Sequence, residues 1–444
     1  MLLNLGEWRN GIRATLRTLW GNPCRFKSCL AHHKMQNFRI KLPTNASLPK
    51  LVPLIVPLVV LMLSDSIIAY SVPIYAQNLF SNDFFTGLVI SFSSLVGLVF
   101  DFLSKRLFGS KNFSFFIKFT FILLIIVSYS LGLSFINKYI FIFAMAIWGI
   151  YYETLAFSNF KYLKNFVNSN DYTFSWGFIS MLRALIYGIG PLIATVLISK
   201  QLQLPAYLCG TFVLLAFFLY LALFNKESKA PAQATNTTES KQELKVWFML
   251  FKKIYPIWVL NLTLVLIDSG FWTIGILMSE NLGKASPLAK LIIPLYMLPA
   301  VIFSPLSQTI SSKFGKKKTA IVTSFIGAFF LVFTGLAVNI ELILLAIFAY
   351  SVFTSVAFPA ICATFEDYVS RLGNFDTDLI GLEQSSGNFA YIIGPVLAGF
   401  IALHLTEQKV FLIFGLLLAL ISFLALIITP RKIKMPLSKL LKIS

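Results

Sequence analysis

The chain is a succession of long apolar runs joined by short polar segments. Twelve runs have the roughly 20 residues that a helix needs to cross a hydrocarbon core. They fall at 51–73, 84–103, 115–134, 138–158, 174–198, 206–224, 254–278, 288–310, 319–337, 341–362, 379–402 and 409–429. The apolar–polar alternation of a membrane barrel is absent. Lipid leaves backbone groups no outside partner, so each run is predicted to be a transmembrane helix. One polar stretch stands out, Asn225 to Trp247, rich in Ala, Ser, Thr and Lys and read as a flexible linker. It divides the spans six plus six: an N-terminal half at 35–224, a cytoplasmic linker at 225–253, a C-terminal half at 254–430 and a basic tail at 431–444.

Composition agrees with the pattern. Of 444 residues 57% are apolar and 12% charged, against about half and a quarter in soluble domains. A soluble enzyme, a disordered chain and a coiled coil are excluded. The net charge of +19, from 37 Lys and Arg against 18 Asp and Glu, would suggest nucleic acid in a soluble protein. Here the basic residues alternate between joints. Arg39, Lys41, Lys50, Lys105, Arg106, Lys111, Lys161, Lys164, Lys226, Lys229, Lys241, Lys245, Lys252, Lys253, Lys313, Lys316, Lys317, Lys318, Arg371 and the basic tail fall on one side, and only Lys138, Lys200, Lys284, Lys290 and Lys409 on the other. The positive-inside bias places both termini in the cytoplasm and the partner as the bilayer of a plasma or inner membrane, not nucleic acid. Cys24, Cys29, Cys209 and Cys362 form no metal spacing, and His32, His33 and His404 leave none at mid-membrane depth. No metal or cofactor is expected.

Residues 1–34 differ in composition, with six basic residues, two cysteines and two histidines. Arg25-Phe26-Lys27-Ser28 back-translates to a string that resembles the T-arm of a transfer-RNA gene, and Trp8-Arg9-Asn10-Gly11 to one that resembles its D-arm. A start assigned too early, with translation beginning at Met35, is the expectation.

The two halves repeat. Asp65-Ser66 and Asn78-Leu79 recur as Asp268-Ser269 and Asn281-Leu282 at an offset of 203, and Gly190-Pro191 recurs as Gly394-Pro395 at 204. Independent landmarks at nearly one offset indicate an internal duplication. After span 2 comes Gly97-Leu98-Val99-Phe100-Asp101-Phe102-Leu103-Ser104-Lys105-Arg106. After span 8 comes Ser312-Lys313-Phe314-Gly315-Lys316-Lys317. Both resemble the loop signature of the major facilitator superfamily, and each copy keeps what the other lost. The resemblance covers residues 50 to about 430. It implies an all-α integral membrane protein of twelve helices in two pseudo-symmetric six-helix bundles, working as a monomer. It also implies that Gly97, Asp101, Lys105, Arg106, Ser312, Lys313, Gly315, Lys316 and Glu383 belong to a cytoplasmic latch.

Charge at membrane depth is costly and needs a partner or a task. Asp65 and Asp268 sit at matching depth in spans 1 and 7, suited to bind protons reversibly or to hold a cationic substrate. Glu153 and Arg183 reach similar depth in spans 4 and 5 and are expected to pair. Gln384 and Asn388 are expected to face the cavity and bond substrate. Gly190, Pro191, Gly394 and Pro395 resemble the family's antiporter element, which favours export. Pro294, Pro299 and Pro305 make span 8 bendable. No nucleotide loop and no enzymatic motif is present. The expected function is secondary active transport of a small molecule by alternating access, driven by protons, most simply in export. The alternatives are uptake of a sugar or other metabolite, and a degenerate transporter serving as sensor or scaffold.

Overall fold

A computed structural model describes residues 48–108, 113–166, 172–224, 240–369 and 376–430. Segment 1–34, the first part of the linker and the basic tail lie outside the described residues. Every regular element among the described residues is helical. The first half contains α1 (Leu48–Phe80), α2 (Asp83–Phe108), α3 (Phe113–Leu133), α4 (Lys138–Phe166), α5 (Tyr172–Lys200) and α6 (Leu204–Phe224). The second opens with α7, made of Ser240–Gly270, a π turn at Phe271–Gly275 and Ile276–Gly283. Then come α8, broken into Pro287–Leu291, Ile292–Met297, Pro299–Phe303 and Leu306–Phe314, α9 (Lys316–Thr334), α10 (Ile340–Val369), α11 (Asp376–His404) and α12 (Glu407–Ile428).

Among the described residues eleven helices are long and apolar enough to cross a membrane. The twelfth span is α8, whose two parts, Pro287–Phe303 and Leu306–Phe314, meet at 63°. The bend falls at Pro305, which lacks the N–H needed to continue the ladder. Two boundaries differ from the sequence reading. The linker ends earlier, because residues 240–253 continue directly into α7. Their Gln, Glu, Leu and Lys are good helix formers, although their polarity removes them from an apolar run. α1 extends to Phe80, past the polar Gln77 and Asn78, which cap the span without breaking it.

Burial ranks the helices. In α1 and α7, 72% and 78% of the span is buried, against 33% in α6 and α12, so the duplicated Asp-Ser helices are the innermost pair. The halves meet along one layer toward the C-terminal ends of α1 and α7. Tyr70 of α1 hydrogen-bonds Glu280 of α7 at 2.8 Å. At the start of α2, Gly87 lies against the Pro395 carbonyl and Asp83 against Gly399 of α11. Gly188 of α5 lies under Leu298 of α8.

Close approach needs small residues where lipid supplies no hydrophobic drive between helices. α2 and α4 show it: a Cβ on Gly149 would sit 1.9 Å from the Ser93 carbonyl, and one on Gly97 would sit 3.1 Å from the Gly149 carbonyl. Gly315 has another reason. Its φ of +89° turns the chain from α8 into α9, a conformation costly for any residue with a Cβ.

Candidate functional site

The site begins with two buried carboxylates. Asp65 is fully buried in α1 and accepts three hydrogen bonds. Trp148 Nε1 donates to Oδ1 at 2.8 Å, and Tyr152 donates to Oδ2 at 3.1 Å, both from α4. The Tyr187 hydroxyl of α5 also donates to Oδ2. Asp268 of α7 accepts two. Tyr296 of α8 donates to Oδ1 and Tyr391 of α11 to Oδ2, each at 2.5 Å. A carboxylate accepts only, so donors from neighbouring helices are what makes such burial tolerable.

The two arrangements are copies. Tyr187 and Tyr391 stand three residues before Gly190-Pro191 and Gly394-Pro395, and are separated by the same 204 positions. Beside each carboxylate the next residue, a serine, meets the glycine of that element. A Cβ on Gly190 would lie 2.0 Å from Ser66 Oγ, and one on Gly394 1.9 Å from Ser269 Oγ. The absent side chain brings α5 onto α1 and α11 onto α7, which carries each tyrosine hydroxyl to its carboxylate. Sequence reading found the acids and the Gly-Pro elements but missed Trp148, Tyr152, Tyr187, Tyr296 and Tyr391. The Tyr-x-x-Gly-Pro repeat was the available signal for Tyr187 and Tyr391.

Between the halves lies a cavity of about 370 Å³. Its wall includes Trp148, Tyr152, Glu153, Arg183 and Tyr187 of the first half, and Asp268, Trp272, Asn388 and Tyr391 of the second. Asp65 sits directly behind this wall, screened by its own donors. Tyr187 and Trp272, one from each half, touch edge to face with ring centres 5.5 Å apart. Trp272 rides on the π turn that follows Asp268, and such turns interrupt helices at functional sites. Behind it, Phe271 stacks on Tyr296 at 4.1 Å, fixing the ring that donates to Asp268.

Among the described residues Glu153 and Arg183 share the wall but form no ion pair. Glu153 is half-buried, its carboxylate directed toward α2, where a Cβ on Gly97 would lie 3.5 Å from Oε1. Arg183 is exposed to the cavity. Gln384 lies a turn nearer the start of α11 than Asn388 and is exposed outside the cavity wall.

The latch residues separate into two groups. Asp101, Lys105 and Arg106 belong to the last turns of α2, but their side chains lie outside the described residues. In the second copy, Lys316 Nζ pairs with Asp367 Oδ1 of α10 at 2.8 Å and donates to the Ala363 carbonyl at 3.3 Å. Ser312 Oγ donates to the Thr309 carbonyl within α8, and Lys313 lies over the Phe314 ring. Glu383 is partly buried near the start of α11.

A paired bundle of twelve membrane helices around a central cavity defines a membrane transporter, not an enzyme. Residues 257–440 match the family model of the Major Facilitator Superfamily, and the fold agrees with that family across both halves. That match lies in the second half of the chain. No curated protein sequence matches it. Among solved structures it is similar to the nucleoside transporter NupG, at 12% identity and a TM-score of 0.66, with 86% of this chain and all of that one covered. A peptide transporter of the POT family, in complex with a thioalcohol-conjugated peptide, has 11% identity and a TM-score of 0.69, over 86% and 96%. The human organic anion transporter MFSD10 has 13% identity and a TM-score of 0.57, over 85% and 98%.

Proposed function

We propose that the chain is a proton-coupled secondary transporter of a small molecule, working by alternating access in a plasma or inner membrane. The observation that carries this reading is the duplicated carboxylate–tyrosine pair, Asp65–Tyr187 and Asp268–Tyr391, set at and behind the cavity wall. An ionised carboxylate accepts from its tyrosine. A protonated one carries its own O–H, which needs an acceptor, so one of its two tyrosine hydroxyls has to turn or let go, Tyr152 or Tyr187 on Asp65 and Tyr296 or Tyr391 on Asp268. Tyr187 also touches Trp272 across the interface, so a proton on Asp65 bears on the contact between halves. With both termini cytoplasmic, the contact of Tyr70 with Glu280 lies toward the outer side. The Gly-Pro elements of α5 and α11 favour export.

A second reading, uptake with a proton, rests on Arg183. It shares the cavity wall with Asp268, so an anion held at Arg183 and a proton entering the same cavity would travel together. The test is proton movement in liposomes that trap a pH dye. Substrate-driven flux lost in Asp65→Asn or Asp268→Asn supports coupling, and its direction relative to substrate separates export from uptake. Flux unchanged in both variants removes the proton assignment.

A further inference from the structure

We infer that the cavity binds an organic anion, an oxyanion group paired with Arg183 and an apolar body packed against Trp148, Tyr152 and Trp272. The inference rests on the transport reading and names its substrate class. It also departs from the cationic substrate that two acidic residues suggest in the sequence.

The argument is one of satisfied and unsatisfied charge. Asp65 is closed off, with three donors on its two oxygens and no exposed surface. Both oxygens of Asp268 already receive a tyrosine hydroxyl. The Glu153 carboxylate faces α2 at Gly97. Arg183 stands apart. It is exposed to the cavity and has neither hydrogen bond nor ion pair among the described residues. A guanidinium offers five N–H donors in a planar fork that matches a carboxylate, sulfonate or phosphate. An ionisable group at membrane depth without a protein partner marks where a ligand supplies one. The rest of the wall is aromatic, which suits a flat or apolar body. The volume of about 370 Å³ lies in the lower part of the range of about 300–1,000 Å³ typical of small-molecule sites, so the occupant is a free small molecule and not a two-chain lipid.

Equilibrium binding to the purified full chain tests this independently of proton coupling. Three probes share one body and differ in charge: 4-phenylbutyrate, 4-phenylbutylamine and 4-phenylbutanol. Binding is read from tryptophan fluorescence, since Trp148 and Trp272 line the wall, and from the shift in melting temperature. The expected result is saturable binding of the carboxylate at least about tenfold tighter than of the amine or alcohol, retained in Arg183→Lys and lost in Arg183→Gln. Should Arg183→Gln not fold, charge selectivity in the wild type and in Arg183→Lys still decides. Equal or tighter binding of the amine, unchanged binding in Arg183→Gln, or no binding of any probe overturns the inference. Anion-selective binding without proton flux would remove the coupled-transport reading and leave the inference standing. Flux triggered only by cations would do the reverse.

Discussion

Tyr187 holds Asp65 with its hydroxyl and meets Trp272 of the opposite half with its ring. One side chain therefore joins a buried carboxylate to the interface between the halves. Tyr187→Phe keeps the ring contact and deletes the donor. Leaving a buried carboxylate short of one donor costs about 1–3 kcal/mol, so the variant should melt lower. It should also uncouple proton flux from substrate flux while substrate binding persists. Paired flux measurements on one liposome preparation check this, and coupling at the wild-type ratio would remove Tyr187 from the proton path.

The two Ser–Gly contacts should respond differently to the same change. In Gly190→Ala the new methyl meets both Ser66 Oγ at 2.0 Å and Ser66 Cβ at 2.6 Å, whereas in Gly394→Ala it meets Ser269 Oγ at 1.9 Å but Cβ only at 3.3 Å. Removing the hydroxyl therefore relieves the second clash and not the first. Overpacking costs about 1–3 kcal/mol. Ser269→Ala should recover most of that loss in Gly394→Ala, and Ser66→Ala little of it in Gly190→Ala. Thermal unfolding of the four single and two double variants gives the comparison.

The contact between the halves at the C-terminal ends of α1 and α7 contains a hydrogen bond from Tyr70 to Glu280, which also pairs with Lys290. On the proposed alternating-access reading this end faces outward, and Tyr70→Phe removes one link that closes it. At about 1 kcal/mol per net hydrogen bond, it should shift the balance toward the outward-open state by roughly fivefold. A thiol label at a cavity position, applied from the outer side, should react correspondingly faster. An unchanged labelling rate would show that the seal does not depend on this bond.

At the second latch copy, backbone geometry should matter more than charge. The Lys316–Asp367 pair is partly exposed, and such pairs contribute about 0–1 kcal/mol. Gly315 holds φ at +89°, where a side chain costs about 1–3 kcal/mol. Gly315→Ala should lower the melting temperature more than Lys316→Ala, and only the effect of Lys316→Ala should shrink in high salt.

How much was legible from sequence follows from the range of each constraint. Lipid imposes span length locally, so the twelve runs and the six-plus-six division were readable from composition along the chain. Duplication made Asp65 and Asp268, and the two Gly-Pro elements, visible as repeats. The donors on those acids lie 83 to 123 residues away on other helices, where hydropathy sees only apolar aromatics. The Glu153–Arg183 pairing failed because depth alone does not set the direction in which a side chain leaves its helix. The start of α7 was missed because a helix can continue past the membrane in polar sequence.

The two halves share positions but not stiffness. α2 contains no proline and runs unbroken from Asp83 to Phe108. Its copy in the second half, α8, consists of short rods meeting at prolines and bent by 63°. A rod already jointed can swing without tearing backbone hydrogen bonds, and a continuous one can only tilt. In a transport cycle the second bundle would then act as the spring and the first as the frame, an inequality that pseudo-symmetry in the amino-acid sequence conceals.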